Sequence, residues 1–392
     1  MFCLMAFALT STENMNFIPF NGSPEPTLGV EIELQIVNPE TQNLHSGSLA
    51  IMDVVGDHPR IKPELTQSTI EVITGICKTP AEARADLETS LKTLYEISDR
   101  EGFTYVSAGT HPYGRWADQT IYPNERYNHL VERIQWAARR LNIYGIHVHV
   151  GVPSGECCIA VSNALTTFLP HLLALSASSP FVDAEDSGLD SCRVKLFEVM
   201  PTAGLPYRLA NYGEFQRFMN TLINARAIES IREIWWDVRP HPNFGTIEVR
   251  VCDAPPTLTD CVALAALVQA LIVHLTRLYD RGIWLELLRP WIVRENKWRA
   301  TRFGLDAEII IDNTGTQSLL RDEIASLVET LTPISKELGS YAELQDVLRI
   351  MEEGNSSTHQ RQVYKETQSL EAVVKSLSER LRDDVFSPAT PG

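Results

Sequence analysis

A two-residue alternation, repeated in four segments, constrains this chain more than any other feature. In residues 28–37, Val30, Ile32, Leu34 and Ile36 point one way while Glu31, Glu33 and Gln35 point the other. Residues 69–74 set Ile70 and Val72 against Thr69 and Glu71, and residues 145–151 set Ile146, Val148 and Val150 against His147 and His149. Residues 246–252 set Ile247, Val249 and Val251 against Thr246, Glu248 and Arg250. Successive side chains of a strand leave opposite faces, so each segment predicts a strand with one apolar and one polar face. Parallel sheets are covered on both faces and read as continuous apolar runs. One-sided polarity therefore predicts an antiparallel sheet, even though helices intervene between the strands.

A further strand is expected over 103–108. Thr79-Pro80-Ala81-Glu82 combines a capping box with proline at the first helical position and predicts a helix to about Arg100. Other helices are expected over 128–141, 156–175, 211–224, 257–279, 319–331 and 370–382. The fold class is α+β: a curved, mainly antiparallel sheet with helices packed on its outer face and its polar face lining a cleft. The expected organisation is one domain over 26–385, after an extension over 1–25 in which Met15 offers an alternative start. A frayed tail over 386–392 follows.

Composition narrows the function. With 34 basic and 50 acidic residues among 392, the net charge is −16, and such a chain repels phosphate backbones at long range, which excludes a general nucleic-acid binder. Seven cysteines, odd in number and without CxxC spacing, suggest neither a disulfide framework nor a cysteine zinc site, and fit a reducing cytoplasm. Residues 1–9 lack the basic flank of a signal peptide. The apolar run at 262–273 is interrupted by Gln269 and is too short to span roughly 30 Å of hydrocarbon, so no membrane segment is expected.

One polar strand face is most simply a solvated face; four with the same habit suggest convergence. Three or four carboxylates crowded together would repel one another unless cations sat between them, and neutralising one should then relieve the metal-free protein. Glu31 and Glu33, roughly 6.5–7 Å apart along a strand, could serve neighbouring metal sites. Carboxylates with one imidazole suit Mg²⁺ or Mn²⁺. Alternatively, His147 and His149 form a strand HxH that binds zinc, with Glu71 or Glu248 as third ligand, in a hydrolase; His149 also reads as a hydrogen-bonded core histidine. Arg239, Arg250, Arg299 and Arg302 are candidates for phosphate or carboxylate recognition, or ordinary salt-bridge partners. No glycine-rich phosphate loop is present, so a nucleotide would be held by metal ions and arginines.

Several motifs in order carry a resemblance. They are Thr27-Leu28-Gly29-Val30-Glu31-Ile32-Glu33-Leu34-Gln35, Gly109-Thr110-His111-Pro112, Asn124-Glu125-Arg126-Tyr127, His147-Val148-His149-Val150-Gly151, Trp236-Asp237-Val238-Arg239-Pro240 and Phe244-Gly245-Thr246-Ile247-Glu248-Val249-Arg250-Val251. From about Pro26 to the last helices, the chain resembles the type 2 glutamate–cysteine ligases, or carboxylate–amine ligases, which are similar in fold to glutamine synthetase. The resemblance implies ATP and Mg²⁺ (or Mn²⁺) as cofactors, small amino-acid substrates with glutamate and cysteine as the nominal pair, and a homo-oligomer. It implies metal ligands at Glu31, Glu33, Glu71, His147 and Glu248, catalytic roles for Glu248 and Arg250, and nucleotide or substrate contacts from Arg239, Arg250, Arg299 and Arg302. Glu64 matches an acidic position of the wider superfamily, whereas residues 191–207 depart from the family pattern. A non-catalytic nucleotide-binding relative would share the same motifs.

Overall fold

The computed structural model describes residues 16–283 and 286–386; the expected alternative start at Met15 and the tail beyond Phe386 lie outside them. Seven strands form the main sheet: β1 (Leu28–Val37), β2 (Ile61–Pro63), β3 (Thr69–Ile73), β4 (Thr104–Val106), β5 (Ile146–Gly151), β6 (Val238–His241) and β7 (Thr246–Val249). Their order is β6-β7-β5-β1-β3-β2, with β4 alongside the end of β1. Every pairing among them is antiparallel, as the one-sided polarity predicts.

Directly paired residues share a face, so the register states which side chains meet. Glu31 lies opposite His147, Glu33 opposite Glu71, Glu248 opposite His149, and Arg239 opposite Glu248. The polar segments of four separate strands thus converge. On the other face Val30, Ile32, Leu34, Ile70, Val72, Val148, Val150, Ile247 and Val249 are buried in the largest apolar cluster.

The helices packed on this apolar face include α1 (Pro80–Glu101), α3 (Gly155–Leu165) and α6 (Leu258–Asp280), and the chain also forms α2 (Glu125–Ile134), α4 (Leu169–Ser176), α5 (Cys192–Phe197) and α7 (Pro290–Phe303). Thr79 caps α1 as its sequence predicts, accepting the Glu82 N–H at 3.2 Å. The helix expected over 156–175 is two helices joined by a tight turn, because Pro170 lacks the N–H that continuous helix requires. The helix expected over 128–141 starts earlier, where Asn124 caps it, and breaks at Gln135, whose φ is +58°. Ser48–Val55, Tyr341–Glu353 and Ser356–Thr367 are helices that periodicity did not announce.

The run at 262–273 belongs to α6, whose 23 residues are by length and hydropathy enough to cross a bilayer, contrary to the estimate from the run alone. In its most apolar window 89% of the helix is buried inside the fold, and 72% in Gly155–Ser176, the other such segment. Both serve as core helices. Gln269, the polar interruption, is fully buried and donates to the carbonyls of Pro26 and Lys78 at 2.8 and 2.9 Å, tying α6 to the entry of β1.

Candidate active site

Glu31 stands at the centre of the polar face. Its Oε2 lies 3.1 Å from His147 Nδ1, and its Oε1 lies 3.3 Å from His149 Nε2. Burial alone would raise the Glu31 carboxyl, but the two imidazoles hold it well below the usual carboxylate range. Two groups with metal-ligand spacing result, Glu31–Glu71–His147 and Glu31–His149–Glu248, in each of which one donor atom per residue lies within 4.8 Å of the others.

Glu248 is fully buried between two guanidinium groups. Arg239 donates through Nε at 2.8 Å and Nη2 at 2.9 Å, and Arg250 donates through Nη1. Burial opposes ionisation of Glu248, yet Arg239 and Arg250 hold its pKa far down. On the other flank the balance reverses. Burial first, then the neighbouring carboxylates, push Glu71 well above its ordinary value, and burial with the charge of Glu33 pushes Glu64 up to about 7. Anions are thus crowded on one side of Glu31 and neutralised on the other.

The donor set fits divalent cations on three observations. The buried Nε2 of His149 makes no well-aligned hydrogen bond among the described residues, its ion-pair neighbour being Glu31 Oε1 at 3.3 Å, although its Nδ1 is fixed by Thr246 Oγ1 at 3.0 Å. The nearby charges of Arg126 and Arg250 do not offset burial and like-charge crowding at Glu64 and Glu71, whose carboxyls stay raised. Each three-residue group is two carboxylates and one imidazole, a set suited to Mg²⁺ or Mn²⁺.

The family model for glutamate–cysteine ligase family 2 matches residues 27–377. The chain belongs to that family. Relatives in this ligase family include a protein of Gloeobacter violaceus, 47% identical over 364 residues, covering 92% of this chain and 98% of its own length. Another, from Thermobifida fusca, is 43% identical over 371 residues and covers 93% of each chain. Both bear the provisional name glutamate–cysteine ligase 2. Among solved structures, the glutamate–cysteine ligase of Francisella tularensis, in complex with AMP, superposes with a TM-score of 0.66 at 14% identity over 95% of this chain and 91% of its own. A bifunctional glutathione synthetase from Pasteurella multocida gives 0.67 at 14% identity, over 93% of this chain and 53% of its own. These two likenesses bear on the fold, which they share.

Within the ligase-family fold, not every expected residue meets at Glu31. Glu33 shares the face, but its Oε2 accepts the Gly145 N–H at 2.6 Å, and it stands outside both three-residue groups. Arg239 is 7% exposed and committed to Glu248 and to the carbonyls of Ile231 and Ile234. It anchors Glu248. Arg299 pairs with Glu295 at 2.9 Å and reaches Glu308 O and Gln317 Oε1. Arg302 is exposed and lies over the Phe303 ring at 4.9 Å. The inward cation of α7 is Lys297, 2% exposed, which binds Asp237 at 2.6 Å and Glu198 at 2.7 Å.

Sequence reasoning gave His149 a place only in the zinc alternative and not in the Mg²⁺ ligand set; the HxH spacing was the available signal, and the register sets His149 opposite Glu248. Six described cysteines are free and buried. Burial drives the Cys252 thiol up to about 12, so it is no nucleophile at neutral pH.

Proposed function

We propose that the protein is an ATP-dependent carboxylate–amine ligase, nominally joining L-glutamate to L-cysteine. The observation that carries this reading is the sharing of Glu31 between two divalent-cation donor groups, with the Arg250 guanidinium at their edge. The names of the relatives support the substrate pair.

A carboxylate is a poor electrophile at neutral pH and needs activation. In the proposed sequence, an oxygen of the γ-carboxylate attacks the γ-phosphorus of ATP and ADP leaves, giving an acyl phosphate. The amine nitrogen then attacks the acyl carbon, loses a proton, and inorganic phosphate departs with the carboxylate oxygen. Divalent ions, when bound, would supply positive charge that offsets the phosphate charge developing during transfer. Glu31, Glu71, His147, His149 and Glu248 would hold them, with the remaining oxygen of Glu33 beside them. Arg250 keeps a buried Nε–H without a partner among the described residues, and this donor is available to the transferring phosphoryl group. Arg239 fixes the carboxylate of Glu248 from behind.

The zinc hydrolase reading needs both imidazoles on one ion. Here they fall into separate ligand groups among the described residues, which favours the ligase. Glutamate labelled with ¹⁸O in the γ-carboxylate tests the chemistry: one ¹⁸O per inorganic phosphate is expected. Label in AMP, or none in phosphate during net ligation, would contradict the acyl phosphate.

A further inference from the structure

At the end of the polar face, Arg193 on α5 is 3% exposed. Its Nη1 and Nη2 each lie 3.4 Å from the backbone carbonyl of Arg250, and Nη1 lies 3.4 Å from that of Val251. Nη1 is also 3.9 Å from the fully buried Asp253. Asp253 is itself fixed by Ser178 N at 3.0 Å, Ser179 Oγ at 2.6 Å and Ser191 Oγ at 2.8 Å. The Arg193 amide donates to Ser179 Oγ at 3.1 Å, so backbone and side chain are secured by one network.

The same guanidinium lies flat against Gly145, where any Cβ would fall on Nη2. The Gly145 N–H donates to Glu33 Oε2 at 2.6 Å, and its carbonyl accepts the Glu33 N–H at 3.1 Å. One buried cation therefore touches two pieces of backbone that flank the site. One carries Arg250, and the other holds the carboxylate of Glu33. The ladder bond from Ile146 N to Cys252 O, 3.3 Å, closes the frame between them.

We infer that Arg193 is a positioning residue that fixes Arg250 relative to Glu33, and so sets where the transferring phosphoryl group meets its guanidinium. The inference rests on the ligase reading for its kinetic consequence, but not for its structural one. Lysine at 193 keeps the charge but cannot reach both carbonyls and Asp253 from one planar group.

Four measurements on full-length Arg193→Lys decide the matter: melting temperature, affinity for a non-hydrolysable ATP analogue with Mg²⁺, kcat for ADP release, and backbone hydrogen exchange. A positioning role predicts a folded protein, analogue affinity within a few-fold of wild type, kcat lowered about 10-fold or more, and faster exchange confined to 145–146 and 250–253. In an Arg250→Lys background the second change should cost little further, because both act through one guanidinium. Unchanged kcat, or the same loss added in full on top of Arg250→Lys, overturns the inference. If Arg193→Lys does not fold, Gly145→Ala, which displaces the guanidinium from the opposite side, takes its place with the same expectations. If wild type releases no ADP with any substrate pair, the ligase reading has failed, and exchange alone decides: unchanged protection at 250–253 overturns the positioning role.

Discussion

Glu248 and Glu71 occupy the same sheet face but stand in opposite electrostatic situations. Charge crowding read from the sequence suggests that neutralising any of these carboxylates relieves the metal-free protein, and the structure restricts that to one flank. Glu248 is enclosed by Arg239 and Arg250, so Glu248→Gln leaves two buried guanidinium groups under-compensated. The metal-free protein should lose about 3 kcal/mol in denaturant titration. Glu71 is pushed up by burial and by its anionic neighbours, so Glu71→Gln should hold or raise the metal-free melting temperature while abolishing Mg²⁺-dependent ADP formation. The pH dependence follows the same logic. Glu64 sits at about 7 in the fold against an ordinary 4.5, so in the folded state it resists an ionisation that the unfolded chain undergoes freely. Its contribution is intact below about 4.5 and is lost as pH rises through about 7. Thermal melts of metal-free protein between pH 5 and 8 should show wild type losing stability relative to Glu64→Gln as pH rises. At Arg250, lysine keeps the charge but loses the planar fork. Arg250→Lys should therefore lower kcat about 10²-fold with ATP affinity less affected; kcat within a few-fold of wild type would mark Arg250 as only a structural partner of Glu248.

Strands whose polar and apolar residues alternate cleanly were legible in the sequence, and these are β1, β3, β5 and β7. The two that alternation did not reveal, β2 and β6, are the edge strands of the sheet. Each contains a proline, Pro63 or Pro240, of a kind tolerated at an edge and read locally as a breaker. In β6 all four residues are buried, because Arg239 is paired with Glu248 instead of facing water, so the polar signal misleads. The same limit explains α7. Helical spacing puts Arg299 and Arg302 on one face, but only packing decides that Lys297 points inward. Capping was legible because it is local: Thr79 and Glu82 suffice to start α1. Thr79→Ala should cost about 1 kcal/mol in stability and leave kcat unchanged, since α1 lies on the side of the sheet away from Glu31; urea titration beside steady-state kinetics checks both.

The whole molecule is an antiparallel sheet that turns its aliphatic face to a buried layer of helices and its ionisable face to a site centred on Glu31. The alternation in four segments, read with the charge balance, was enough to anticipate that division. The sharing of Glu31 between two donor groups was not legible, because it depends on the strand order β7-β5-β1-β3. That order brings Glu248 and Glu71 to opposite sides of one carboxylate across strands distant in sequence. The central claim is that this shared site couples ATP cleavage to joining a carboxylate and an amine. ADP release by the purified protein with Mg²⁺, across a matrix of carboxylate and amine substrates and with product mass recorded, tests it most directly. The account predicts ADP release only when both partners are present, with a product whose mass is their sum less one water. Tightly bound stoichiometric zinc with no ADP release for any pair, or ADP release without a condensed product, would contradict it.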